Sequence, residues 1–265
     1  MASTARQAAV QAAEWAVDEA VSREVPLRLV EVIPQQAEPA PLAAVGNVRM
    51  ELEYGETALG IASAAVTASG QPVKVETAIL RGDPATALIA ESRDVEMVCV
   101  GSTGIGRFAR ALLGSTVAEL AEAASCSVAI IRTQQSRPKP GSSLIVVAVN
   151  DDSPGNDDVV EQAIREAQLR HAPVLALGVW RQDLGEMPYD KLDRRVHFWE
   201  RRYPSVQFHA RATRTGIADF LDVSDSRIQL AVIGSADIDQ VASLIGPHRH
   251  HILGHAKCSV LIVRS

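Results

Sequence analysis

Short runs of Val, Ile, Leu and Ala alternate along the chain with longer segments whose apolar residues recur at helical spacing. In the first half the short runs predict four β-strands: Leu27–Ile33, Val73–Leu80, Met97–Val100 and Ser127–Arg132. The longer segments predict helices near Ala5–Ser22, Gly55–Ser69, Pro84–Ser92 and Ser115–Ala124. Because nearly continuous apolar strands between helices are typical of a parallel sheet covered on both faces, the pattern predicts an α/β fold with right-handed crossovers.

The same pattern occurs twice. Three segments of the first half return in the same order in the second: Glu19-Ala20 with Pro26 matches Glu166-Ala167 with Pro173, MVCVGSTG (Met97–Gly104) matches LAVIGSAD (Leu230–Asp237), and CSVAIIR (Cys126–Arg132) matches CSVLIVR (Cys258–Arg264). Ordered repetition indicates a duplicated unit. The stretch 133–143, rich in Pro, Gly, Ser and Gln, predicts a linker, so we expect domains at residues 1–135 and 142–265.

Amino-acid composition and charge limit the kinds of molecule that the protein is expected to bind. The 265 residues are 47% hydrophobic and 4% aromatic, which suits two domains with cores of their own, and the net charge of -6 supplies no general field for nucleic acid or anionic lipid. Cys99, Cys126 and Cys258 lie in or beside apolar runs and indicate small buried hydrophobes in a reducing compartment. No apolar stretch reaches the roughly 20 residues that a membrane span needs. We therefore expect a cytoplasmic protein without nucleic-acid or membrane partners.

A glycine-rich segment after the third strand points to phosphate. Gly101 follows the strand and is expected to let the chain turn sharply, while Gly104 removes a side chain where a phosphate would approach the backbone. After nine intervening residues, Gly114, Ser115 and Thr116 open a helix, whose unpaired amides and positive dipole end attract an anion. Glycine turns alone would be weak evidence, but this combination inside a duplicated α/β unit predicts a polyphosphate site.

The spacing G-x2-G-x9-G-[ST] resembles the ATP-binding motif of universal stress proteins, and the chain as a whole is similar to their tandem actinobacterial members. The resemblance implies two tandem open parallel-sheet sandwiches of the adenine-nucleotide alpha-hydrolase-like type, with strand order 3-2-1-4-5. It implies ATP, with a divalent ion such as Mg²⁺, bound by Gly101, Gly104, Gly114, Ser115 and Thr116. It further implies stress or dormancy signalling without enzymatic activity, pairing of the two copies through their last strands, and a homodimer.

Two departures from the family pattern matter. The second copy opens with the strand Leu144–Asn150 and a helix from about Asn156, whereas the first copy begins directly at its helix and lacks the leading strand. In the family this strand is central and ends in an Asp that contributes to the nucleotide site. We favour a start assigned downstream of the native one, and expect an added strand ending in Asp to raise stability and ATP affinity.

The second copy keeps that strand but carries Asn150 in place of the family Asp. Asp237 stands in place of the second glycine, and Gly246-Pro247-His248 replaces Gly-Ser-Thr. A carboxylate facing phosphates repels them and Pro247 has no amide to donate, so this half is expected to bind ATP weakly or not at all.

Other candidate residues have simpler explanations as well. Arg107 and Arg110 could touch the terminal phosphates, although exposed loop arginines are common. His251 and His255 are spaced to share a metal but have no acidic or thiol residue at matching helical spacing. The aromatic cluster around Trp199 favours core packing over nucleic-acid binding.

The leading hypothesis is an ATP-dependent signalling module. An interaction scaffold with no functional site is the alternative, and a slow ATPase has less support because no general base is visible.

Overall fold

The computed structural model describes residues 2–33, 43–102, 114–132, 143–150, 155–179, 188–213, 216–223, 228–235 and 258–264. The first half contains α1 (Ala2–Arg23), β1 (Leu27–Ile33), α2 (Ala43–Ala68), β2 (Val75–Arg81), α3 (Pro84–Glu91), β3 (Met97–Ser102), α4 (Gly114–Ala123) and β4 (Ser127–Arg132). The second contains β5 (Leu144–Val149), α5 (Asn156–Arg170), β6 (Val174–Val179), α6 (Pro188–Arg202), β7 (Phe208–Thr213), α7 (Ile217–Val223), β8 (Ile228–Gly234) and β9 (Ser259–Val263). The predicted α/β alternation is confirmed.

The largest difference from the predicted elements is the start of α2. The helix begins at Ala43 rather than near Gly55. Met50 and Tyr54 in the added segment are exposed, so apolar side chains stand on the solvent face and obscure the helical periodicity there. The start of α3 at Pro84 is as predicted, and the preceding residue caps the helix: Asp83 accepts a 2.9 Å hydrogen bond from the Thr86 amide. Hydrogen bonds from Thr86 lower the pKa of Asp83.

Seven strands from both halves form one sheet in the order β3-β4-β9-β8-β5-β6-β7. Every neighbouring pair is parallel except β4 and β9, which run antiparallel. Numbered within the second half alone, its strands lie in the order 3-2-1-4-5. The first half differs because β1 and β2 pair with each other in a separate two-stranded parallel sheet. The two halves therefore share one sheet, while two strands of the first half stand apart from it.

The strand pair β4–β9 joins the halves, as the resemblance implies. Val128, Ala129 and Ile130 pair with Ile262, Leu261 and Val260, and these side chains are fully buried. The serine of each repeated Cys-Ser-Val segment forms a hydrogen bond with the opposite strand. Ser259 Oγ accepts from the Arg132 amide at 3.1 Å, and Ser127 Oγ accepts from the Arg264 amide at 3.2 Å. The repeated motif thus builds the junction between its two copies.

Helices cover both faces of the large sheet. On one face α1, α5 and α6 pack against the sheet, and on the other α3, α4 and α7 do so. Trp199 is buried on the first face, as predicted, while its neighbour Phe198 is exposed. A third, smaller core lies between α1, α2 and β1. Among the described residues no helix is long and apolar enough to cross a membrane.

Candidate nucleotide site

The candidate site lies where β3 ends and α4 begins. β3 ends at Ser102 and pairs with the parallel strand β4 through Gly101–Ile131 and Ser102–Arg132. Because α4 connects two parallel neighbours, it runs back along the sheet, and its first turn stands at the carboxyl edge of β3. Ligands of open α/β sheets bind at this edge. The predicted residues Gly114, Ser115 and Thr116 form that first turn.

Packing holds α4 against the sheet. Val117, Leu120 and Ala121 are buried against the sheet, and the first turn contains no acidic side chain. Since the first amides of a helix lack partners within the helix, this end presents donors and the positive end of the helix dipole. The arrangement suits an anion, and a carboxylate there would remove the attraction.

Several predicted site residues lie outside the described residues. Gly104 and Arg107 belong to the segment 103–113, and for Gly114 and Ser115 only the helical backbone is described. Thr116 is half-buried. Contacts between these residues and a ligand therefore stay predictions.

Gly101 has a role that the sequence analysis missed. It lies inside β3 rather than in a turn after it, and the backbone of α1 passes directly over it. A Cβ placed on Gly101 would overlap the Ala8 carbonyl and lie 2.9 Å from the Ala9 nitrogen. Glycine is needed here because α1 and β3 approach closely, whatever else the residue does.

At the carboxyl edge of the second half, a side chain at the start of α5 bonds to the end of the strand β5. Asn156 at the start of α5 is buried, its Oδ1 accepts from the Asn150 amide at 3.1 Å, and its Nδ2 donates to the Ala148 carbonyl at 3.0 Å. Asn156 thus ties down the end of β5. Asp237 and Gly246–His248 lie outside the described residues.

The fold and this edge define a doubly covered α/β protein of the kind that binds ligands at the carboxyl ends of parallel strands. A model of the universal stress protein family matches residues 4–132. The universal stress protein Rv2624c of Mycobacterium tuberculosis is 48% identical over 257 residues, covering 97% of this chain and 92% of the relative. Rv3134c from the same organism is 36% identical over 266 residues, covering 98% and 92%.

Among solved structures, a universal stress protein from Archaeoglobus fulgidus superimposes with a TM-score of 0.66 at 15% identity, covering 94% of this chain and 90% of that one. This likeness concerns the fold alone. It agrees with the architecture described above. The chain belongs to the universal stress protein family.

Proposed function

We propose that the first half binds an adenine nucleotide, ATP with Mg²⁺, at the carboxyl edge of β3. The observation that carries the proposal is the start of α4 at Gly114, the next described element after β3, with no acidic side chain in its first turn. Gly101, Gly104, Arg107, Gly114, Ser115 and Thr116 are the proposed contact residues. The bound nucleotide would bias an association or conformational equilibrium used in stress or dormancy signalling, without catalytic turnover.

The donors present suit a polyphosphate. Helix amides and the hydroxyls of Ser115 and Thr116 are donors that phosphate oxygens accept from, and Arg107 would add a charged donor. Magnesium keeps several waters and is usually held by substrate phosphates with one or two carboxylates. The nucleotide phosphates and water would therefore supply most of the ligands of the Mg²⁺ ion.

We propose that the second half contributes little to nucleotide binding. Asp237 would repel phosphates, Pro247 offers no amide, and Asn156 already ties the end of β5. One nucleotide per chain is therefore expected. Homodimerisation of the tandem chain and a cytoplasmic location belong to the same proposal.

A carboxylate at the start of α4 should abolish binding without unfolding the protein. At about 100 times the dissociation constant, Mg-ATP should raise the Tm of the parent chain by roughly 5 °C, and Gly114→Glu should remove this shift because like charges repel at the helix end. Gly60→Glu is the matched control: Gly60 lies on the exposed side of α2 with open space around it. Differential scanning fluorimetry of the three proteins provides the measurement.

The control should keep the full shift. An unchanged shift in Gly114→Glu would place any nucleotide elsewhere in the chain. No shift in the parent chain would instead favour the interaction-scaffold alternative.

A further inference from the structure

A buried charged cluster lies between α1 and α5. We call it the junction cluster; it consists of Glu19 and Arg23 on α1 and Glu166 and Arg170 on α5. The Arg170 guanidinium donates to Glu19 Oε1 at 2.6 Å and forms an ion pair with Glu166 Oε2 at 2.9 Å. The side chains of Arg170, Glu19 and Glu166 are only 9%, 6% and 1% exposed. The cluster joins the first half of the chain to the second.

The duplication produced this arrangement. Glu19 and Arg23 have the same spacing as Glu166 and Arg170, and they occupy equivalent places in the two copies of the unit. When the copies pack together, the equivalent helices bring two equivalent carboxylates to one place. The approach of two buried like charges is costly unless cations or protons compensate.

Compensation by cations is incomplete. One Arg170 nitrogen, Nη2, serves both carboxylates, while its Nε is buried without an acceptor and its guanidinium stacks 4.4 Å from the ring centre of Trp15. Arg23 is farther away, at 3.4 Å from Glu19 Oε2, and is shared with Glu96. Gln162 donates to Glu166 Oε1 at 2.8 Å, but Glu166 Oε2 has no aligned hydrogen bond.

We propose that the junction cluster is a proton-dependent contact between α1 and α5: one proton on the Glu19–Glu166 pair tightens the packing of the two helices, and loss of that proton loosens it. With the proton, the Glu166 carboxyl can donate to Glu19, and Arg170 faces one negative charge. Without it, two carboxylates share a single well-buried cation. Among the described residues, the other charged or titratable groups that face the cluster are Glu96 and the Cys99 thiol.

The acidity of these groups agrees with the geometry. Burial, opposed by Arg170 and assisted by the charge of Glu19, raises the pKa of Glu166 to about 7. Burial also raises the pKa of the Cys99 thiol, which keeps that group neutral. Because Glu166 is harder to ionise in the folded chain, its contribution to stability is complete below the ordinary pKa of 4.5. That contribution is lost as the pH rises through about 7.

Thermal unfolding measured against pH tests this proton dependence. We expect the Tm of the parent chain to fall by roughly 5 °C between about pH 5.5 and about pH 8.5, and the Tm of Glu166→Gln to stay nearly level across the same interval. Glu161→Gln on the same helix is the matched control, since Glu161 is exposed and forms a solvated i, i+4 ion pair with Arg165. Parallel pH profiles for the parent chain and Glu166→Gln would overturn the proposal.

A second variant and a spectroscopic readout keep the test independent of any folding defect in Glu166→Gln. Glu19→Gln removes the neighbouring charge, so the alkaline loss of Tm should become smaller and move to lower pH. Infrared spectra of the parent chain should show a protonated carboxyl band at about pH 6 that fades by about pH 8.5 and is missing in Glu19→Gln at the same pH. Absence of that band from the parent chain would contradict the proposal.

Discussion

Gly101→Ala is expected to lower the free energy of unfolding by about 3 kcal/mol in the absence of any nucleotide, because the new methyl group cannot fit beneath α1. The overlap is with the Ala8 carbonyl and the Ala9 nitrogen, which are backbone atoms of a long helix and cannot rotate away as a side chain could. Relief therefore requires α1 to shift as a body. Urea unfolding monitored by circular dichroism gives the value.

The control variant is expected to change the free energy of unfolding in the opposite direction. Gly60→Ala introduces the same methyl group on α2, where nothing lies within 4 Å of the new Cβ, and alanine is the better helix former. It should stabilise the chain by about 0.5 to 1 kcal/mol. If both variants left the free energy of unfolding unchanged, the inferred close contact between α1 and β3 would be wrong.

Arg170→Met is expected to have the second large effect, a loss of about 3 to 5 kcal/mol near pH 8. The change leaves Glu19 and Glu166 buried together with only the more distant Arg23. The loss should shrink toward pH 5.5, where the pair can carry a proton. Urea unfolding at the two pH values measures the difference.

Arg165→Met serves as the comparison on the same helix. Arg165 is 61% exposed and its pair with Glu161 is solvated, so the change should cost no more than about 0.5 kcal/mol. Adding Glu166→Gln to Arg170→Met should recover part of the loss, because it removes one of the two stranded charges. Equal and pH-independent losses for both arginine variants would show that Arg170 does not compensate buried charge.

Local sequence determined much of this fold. β1 and β4 have the predicted bounds because each is a run of mostly apolar residues between clear breaks. The start of α3 was predictable for the same reason: an N-cap Asp83 before Pro84 acts within one turn, so no distant contact is needed to specify it.

Long-range packing determined what the sequence analysis missed. Gly101 was interpreted as a turn residue because a glycine after a strand usually is one, whereas its real constraint comes from α1, more than ninety residues earlier in the chain. Glu19 and Glu166 served only as markers of the repeat. Their burial depends on how the two copies pack, and nothing in the local pattern of either helix specifies that contact.

The candidate site was predictable to a similar degree. Gly114, Ser115 and Thr116 open α4 as the motif indicated, since a helix start is a local feature. The observation that Asn156 ties the end of β5 depends on three-dimensional proximity to Ala148 and Asn150, and the sequence pattern did not reveal it.

Hydrogen–deuterium exchange of the parent chain with and without Mg-ATP tests the central claim, a nucleotide site at the carboxyl edge of β3, most directly. We expect slower exchange in the last residues of β3 and the first turn of α4, with no change at the end of β8. Protection confined to the second half, or no protection at α4 at a saturating nucleotide concentration, would contradict the claim.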